Sequence, residues 1–291
     1  MLTILFDGIA YGMLLFILAL GLAVTMGLMN FINLAHGAFA MAGGYITVLL
    51  MQRAGVPFLL CLPAAFLGAA LLGAVLERTL YRPLYRKPHL DQVLFSIGLT
   101  FMAVAGIDYF MGSTQQFIQL PQWLRGRTEI GTGAWTLGMG HYRLFIIAVC
   151  AALTVVLQYI LSNTRFGSRL RASVDDQRVA AGMGINVNVV FLSTFAFGSG
   201  LAGLGGALGA EVLGLDPSFP LKFMIYFLIV VAVGGTSSIT GPLLAALLLG
   251  IADVAGKYYI PNLGAFIVYS LMIVILLWRP NGLFVRQGGK A

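Results

Sequence analysis

Stretches of about 20 mostly apolar residues recur from one end of this sequence to the other, and they constrain its fold more than any other feature. A helix needs roughly that many apolar residues to cross a bilayer core of about 30 Å. Hydrophobic residues make up 59% of the chain and charged residues 9%, so it cannot cover itself with water-compatible surface. The sequence predicts an all-α integral membrane protein, a single polytopic domain over residues 1–291 with about eight or nine transmembrane helices.

Nine segments carry this pattern, and they cover residues 4–28, 34–52, 57–76, 93–111, 143–161, 189–210, 221–234, 241–256 and 264–278. The first has no basic residue before it and no small-residue cleavage site, which predicts a retained helix rather than a signal peptide. The pieces within 221–256 are short and flank a turn rich in glycine and serine. Two interpretations stay open for them: two full spans, or a re-entrant or broken-helix pair whose turn lines a pathway.

Basic residues indicate which side faces the cytoplasm. Eleven of the 17 lysines and arginines fall in three connections on one side, and six fall on the other. The positive-inside bias therefore places the N-terminus outside, the C-terminus in the cytoplasm and the loop at about 112–142 outside, although Arg125 and Arg127 weaken the bias. The same bias accounts for the net charge of +7 without a nucleic-acid partner.

Small residues form ladders at four-residue spacing along one predicted span, at Gly198, Ala202, Gly206 and Ala210. Such ladders let helix backbones approach closely in a membrane, where lipid gives no hydrophobic drive for association. They predict a helix that packs tightly against its neighbours.

A polar segment on the basic side has the features of a short helix. Ser173 followed three residues later by Asp176 is typical of a capping box, and Gly182 or Gly184 provides the stop. The pattern predicts a cytoplasmic helix at about 173–182, too short to span. Such a helix either passes movement to a cytoplasmic partner or lies on anionic membrane lipid.

The run from Arg171 to Asn186 resembles the cytoplasmic coupling loop of the inner-membrane permeases of branched-chain amino acid ABC importers, specifically the shorter of their two permease subunits. Four further stretches carry the likeness, at Gly27–Phe39, Tyr81–Leu99, Gly234–Gly241 and Arg279–Phe284. The resemblance implies a bacterial inner-membrane machine with a second homologous permease subunit, two cytoplasmic ATPase subunits and a periplasmic solute-binding protein. It implies that the coupling residues are Ser173, Asp175, Asp176, Arg178, Ala181 and Gly184.

Polar residues near membrane depth are candidates for the translocation pathway because they are costly in lipid. Asn30, Asn33 and His36 lie three residues apart, so they are expected to share a helix face, with Gly37 beside them. The alternative is structural: Asn33 caps the second helix and His36 bonds a neighbouring carbonyl. The glycine-rich turn adds Gly234, Gly235 and Ser238.

The remaining polar residues separate three function classes. The chain has no Walker A sequence, no His/Cys/Glu cluster with metal-ligand spacing and no paired acids placed for catalysis, so we expect no enzyme activity, metal or cofactor. The leading hypothesis is an ABC importer permease for branched-chain amino acids or related small polar solutes such as other amino acids, urea or short amides, working by alternating access. The alternative is an ion-gradient-driven secondary transporter, for which Asp108 and Asp253 would be essential, although Lys257 is placed to pair with Asp253.

Overall fold

The computed structural model describes residues 1–29, 31–130, 137–235, 238–279 and 282–283. In these ranges the helices are α1 Leu2–Met29, α2 His36–Ala54, α3 Phe58–Leu76, α4 His89–Met111, α5 His141–Asn163, α6 Arg165–Asp175, α7 Gln177–Gly182, α8 Val187–Leu213, α9 Phe219–Gly234, α10 Thr240–Tyr259 and α11 Gly264–Trp278. Each of the nine predicted segments corresponds to one of α1–α5 or α8–α11. The predicted all-α membrane fold is confirmed.

Within the part of the chain that the structure describes, six helices are long and apolar enough to cross a membrane: α1, α3, α4, α5, α8 and α10. α9 and most of α11 are shorter apolar helices. The chain is therefore a multi-pass membrane protein. α3 and α4 are joined by a π-helical turn, Glu77–Tyr81, and a 3-10 turn, Arg82–Arg86.

The connection between α4 and α5 contains a short antiparallel hairpin, which the sequence did not predict. Its strands are β1 Arg127–Ile130 and β2 Leu137–Gly140. The Gly138 amide donates to Thr3 Oγ1 at 3.0 Å, so the hairpin lies at the same end of the bundle as the N-terminus. We call this end the hairpin end, and the opposite end, which carries α6 and α7, the α7 end.

α8 forms the centre of the bundle and packs against α1, α2 and α3. Every residue from 198 to 210 is buried. A Cβ added at Gly43 would overlap the backbone of Gly203, and one at Gly206 would overlap the backbone of Ala40. The ladder of small residues thus packs helices together as predicted, because only hydrogen-sized side chains allow these backbones to approach so closely.

α9 and α10 form an antiparallel pair joined at the α7 end. α10 runs along α1, with Ile251 against Gly8 and Leu247 against Gly12, while Thr240 and Val24 line one cavity at the other end of the same interface. Contact over most of the length of α1 favours a full crossing by α10 over a re-entrant loop. α10 continues to Tyr259, beyond the predicted limit at 256.

Candidate coupling segment and translocation pathway

The chain between α1 and α2 is non-helical, yet it lies inside the bundle against α4. The Ile32 amide is 3.4 Å from Gln92 Oε1, and the Leu34 amide donates to Ser96 Oγ at 3.1 Å. The Thr100 hydroxyl is 3.5 Å from the Leu34 carbonyl oxygen. The three α4 residues lie four apart on one helix face and are its buried residues, so this face satisfies backbone groups that lipid would leave unpaired.

Asn33 is buried, with 1% of its surface exposed. Its Oδ1 accepts hydrogen bonds from the Ala35 amide at 3.1 Å and the Tyr81 hydroxyl at 3.0 Å. The side chain therefore fixes the entry to α2 and ties it to the turn that follows α3. The expected shared helix face is wrong for Asn33, because α2 begins only at His36; Asn30 lies outside the described residues.

His36 and Gly37 are enclosed between α1, α2 and α9. His36 Nε2 lies 2.8 Å from the Leu18 carbonyl oxygen, and its ring meets the Phe227 ring edge-on with 6.2 Å between centroids. A Cβ added at Gly37 would lie 2.9 Å from the Cα of Pro220, so a larger residue would push α9 away from α2. These contacts are those expected of structural residues, and the carbonyl that His36 bonds belongs to another helix.

Asp216 fixes the turn that leads into α9 and thus the approach of Pro220 to Gly37. Its carboxylate accepts from the Ser218 amide at 2.8 Å and pairs with Lys222. Burial opposes ionisation, but the hydrogen bonds from Lys222 and Ser218 outweigh it and hold the pKa of the carboxyl below its ordinary value.

The glycine-rich turn joins α9 to α10 at the α7 end. A Cβ added at Gly234 would overlap the backbone of Pro242, and Gly235 has φ of +79°, a left-handed conformation that favours glycine. Ser238 is exposed and lines a cavity of about 310 Å³ together with Arg171 of α6 and Val24 of α1. Thr236 and Ser237, inside the family-like stretch Gly234–Gly241, lie outside the described residues.

The predicted helix at 173–182 is two helices, broken at Asp176. Ser173 does not cap a helix: it lies in the last turns of α6, fully buried, and its hydroxyl donates to the Arg169 carbonyl at 2.8 Å. Asp176 is extended, with φ of −152°, and its Oδ1 accepts from the Arg178 amide at 2.8 Å and the Val179 amide at 3.0 Å. Asp176, which the capping-box pattern places three residues into a helix, is itself the N-cap of α7. The reason is that a short carboxylate bonds nearby backbone amides better than it continues a helix.

α7 ends as the glycines predict. Gly184 has φ of +81°, and the Ile185 amide returns to the Ala180 carbonyl at 3.1 Å. One side of the segment is buried through Ala180, and the other is open, with Val179 57% and Met183 65% exposed. The other exposed residues of this segment are Asp175, Asp176, Gln177, Arg178, Ala181, Gly182 and Gly184.

The sequence of this bundle was compared with known families and solved structures. A family model described as branched-chain amino acid transport system / permease component matches residues 4–276. The chain belongs to this permease family. No solved structure matches it significantly.

Curated relatives of this permease span nearly its whole length. It is 27% identical to the high-affinity branched-chain amino acid transport system permease protein LivH of Salmonella typhimurium, over 97% of this chain and 94% of the relative. It is 29% identical to a probable branched-chain amino acid transport permease protein LivH of Methanocaldococcus jannaschii, over 96% and 91%. It also matches a second type, LivM of Escherichia coli, at 26% identity over 93% of this chain and 68% of the relative.

Sequence reasoning missed the residues that hold the segment before α2. Gln92, Ser96 and Thr100 could have been found by their four-residue spacing in an otherwise apolar span. The position of Tyr81 next to Arg82 favours a place at the membrane interface, but Tyr81 is fully buried on Asn33. A single aromatic residue beside arginines gives no signal that separates these two positions.

Proposed function

We propose that this permease is the transmembrane subunit of an ABC importer that moves branched-chain amino acids, or related small polar solutes, across the inner membrane. The observation that carries the proposal is the family match over residues 4–276, on a chain whose described helices form a multi-pass membrane bundle. The energy comes from partner ATPases, and access alternates as this subunit rocks against a second, homologous permease. A soluble binding protein delivers the solute from outside.

The orientation follows from charge. Among the described residues, nine of the 15 lysines and arginines lie at the α7 end and six at the hairpin end, so the α7 end faces the cytoplasm and the hairpin end faces outward. The N-terminus is then outside and the C-terminus inside.

α7 is the ATPase-docking element in this proposal. Its capped end and open face present Asp175, Asp176, Arg178, Ala181 and Gly184 to a partner. Ser173 is withdrawn from this set as a contact because it lies on the buried side of α6. Arg171 of α6 donates to the Leu161 carbonyl at the end of α5. Since α6 directly precedes α7, this bond supplies a route by which movement of α7 reaches the long helix α5.

The pathway assignment rests on the α9–α10 turn. Ser238 borders the cavity between α6 and α10, so movement of α6 would change the space beside this turn, which also contains Gly234 and Gly235. Asn33, His36 and Gly37 take a supporting part, since their contacts hold α2 and α9 in place rather than face open space.

Purification of a tagged chain from its native membrane tests the assembly. We expect mass spectrometry to recover a second permease and Walker-A ATPases, and we expect ATP-dependent uptake of branched-chain amino acids in proteoliposomes of that complex. An untagged membrane preparation is the control for adventitious capture. A chain recovered alone that takes up solute on an ion gradient without ATP would overturn the proposal.

A further inference from the structure

A cavity of about 450 Å³ opens at the hairpin end. Its walls are residues 120–126, the described strands β1 and β2, the first turn of α5 and the last turn of α8. The volume is in the range of small-molecule sites, about 300–1,000 Å³. Residues that give it its chemistry are Leu120, Leu124, Arg125, Arg127, Arg143 and Glu211.

Structural contacts hold two of the three guanidinium groups at this cavity. Arg125 uses Nε to donate to the Leu120 carbonyl at 2.7 Å, and Arg143 pairs with Asp7 of α1. The pair between Arg127 and Glu129, at 3.5 Å, has both side chains more than half exposed, so it holds Arg127 weakly. The recess is thus lined by three arginines and one carboxylate, Glu211, while Glu129 and Asp7 pair with two of the arginines.

The walls are fixed to the bundle. The Tyr142 hydroxyl donates to the Leu208 carbonyl at 2.7 Å, which joins the start of α5 to α8. The His141 amide donates to the Gly126 carbonyl at 2.9 Å, and its Nε2 lies 2.8 Å from Thr128 Oγ1. Arg125 and Arg143, which are bonded to this frame, keep their geometry when a ligand arrives, whereas the exposed Arg127 turns toward it.

We propose that this cavity binds a free amino acid with an apolar side chain, as its zwitterion. The arginines bond the carboxylate, since guanidinium and carboxylate match in a two-pronged geometry. Glu211 accepts from the α-ammonium group, and Val212, beside the buried Leu120 and Leu124, contacts the side chain. A site for an anion alone would have no need of the glutamate or of the apolar wall.

The assignment explains an anomaly of charge. Three of the six basic residues at the hairpin end, against the positive-inside bias, are the arginines of this cavity. The inference rests on the proposed function and its orientation: the cavity faces outward and receives solute before it crosses.

Calorimetry on the purified chain in lipid nanodiscs tests the site with L-leucine as the probe. We expect leucine to bind, and we expect 3-methylbutylamine, which lacks the carboxylate, and 4-methylpentanoate, which lacks the ammonium, to bind at least about tenfold more weakly. Glu211→Gln and Arg127→Gln should each weaken leucine binding about tenfold. Arg53→Gln, which removes an exposed arginine from the same end but not from the cavity, should leave it unchanged.

Thermal melts of each variant separate loss of the site from loss of folding, and the analogue series on the unaltered chain needs no variant. Absence of leucine binding, or equal binding of leucine and both analogues, would overturn the inference. If the purified complex still takes up leucine with ATP, the proposed function stands while the site fails. Loss of binding-protein association in Arg127→Gln, without leucine binding to the chain alone, would make the cavity a docking surface and overturn the site.

Discussion

The middle of α8 and the short helix α7 are stabilised by opposite means. α8 has glycines at its crossings with α1 and α2, and its residues from 198 to 210 are buried throughout. α7 lies on the surface, and its first turn is held by the carboxylate of Asp176. A region that must not move takes its stability from close packing, whereas a region that meets a partner takes it from its own caps and keeps its outer side chains free.

This comparison predicts the largest loss of stability at the glycine crossings. Gly43→Val would force its side chain into the backbone of Gly203, and we expect it to lower the free energy of unfolding by about 3 kcal/mol or more. Size-exclusion profiles and thermal melts in detergent measure it. Gly98→Val is the matched control, because nothing lies within 4 Å of a Cβ at that position of α4. Equal loss in both variants would show that close approach is not what the glycines provide.

The segment before α2 is buried like α8 but is held by hydrogen bonds. Substitutions there should therefore lower the free energy of unfolding less than those at the glycine crossings and more than those at α7. Asn33→Ala leaves the Ala35 amide and the Tyr81 hydroxyl without their acceptor, and we expect a loss of about 2–3 kcal/mol. Tyr81→Phe removes one donor while Asn33 keeps the other, and we expect about 1 kcal/mol. Chemical denaturation of the two variants should rank them in this order; a larger effect of Tyr81→Phe would contradict it.

The parts of the fold that follow from local pattern were predictable. Apolar length predicted the spans, and the spacing of small residues at Gly198, Ala202 and Gly206 predicted the tight crossings. The distribution of lysines and arginines predicted which connections between helices lie on the same side of the membrane. These signals depend on each residue's own neighbours in sequence, so one chain is enough to see them.

Long-range pairing was not predictable in the same way. Asn33 meets Tyr81 across 48 positions, and Leu34 meets Ser96 across 62. The Ser173 error has a different cause, since two acids follow that serine and a capping pattern does not say which carboxylate bonds the amides. Only the backbone break at Asp176 decides it.

Because α7 depends on its cap rather than on close packing, loss of the cap should destabilise only its first turn. Asp176→Ala removes the cap from the Arg178 and Val179 amides, and we expect a loss of about 1 kcal/mol in local stability. Hydrogen exchange at those amides measures it. Asp176→Asn keeps a capping oxygen but no charge and should restore protection to within a few tenths of a kcal/mol. If the asparagine variant restores protection but still fails to bind the ATPases, the charge has a docking role separate from the cap.

The smallest effect on stability is expected where the proposed docking effect is largest. Val179 and Met183 expose apolar surface on α7, so replacing them with serine and glutamine should change the free energy of unfolding by no more than about 0.5 kcal/mol. Burial of these side chains in an interface predicts that affinity for the ATPase subunits falls about tenfold. Val189→Ser, on the first turn of α8, removes a similarly exposed side chain outside α7 and is the control. If the ATPases still bind the α7 variants but do not bind Val189→Ser, the docking surface lies at the start of α8 rather than on α7.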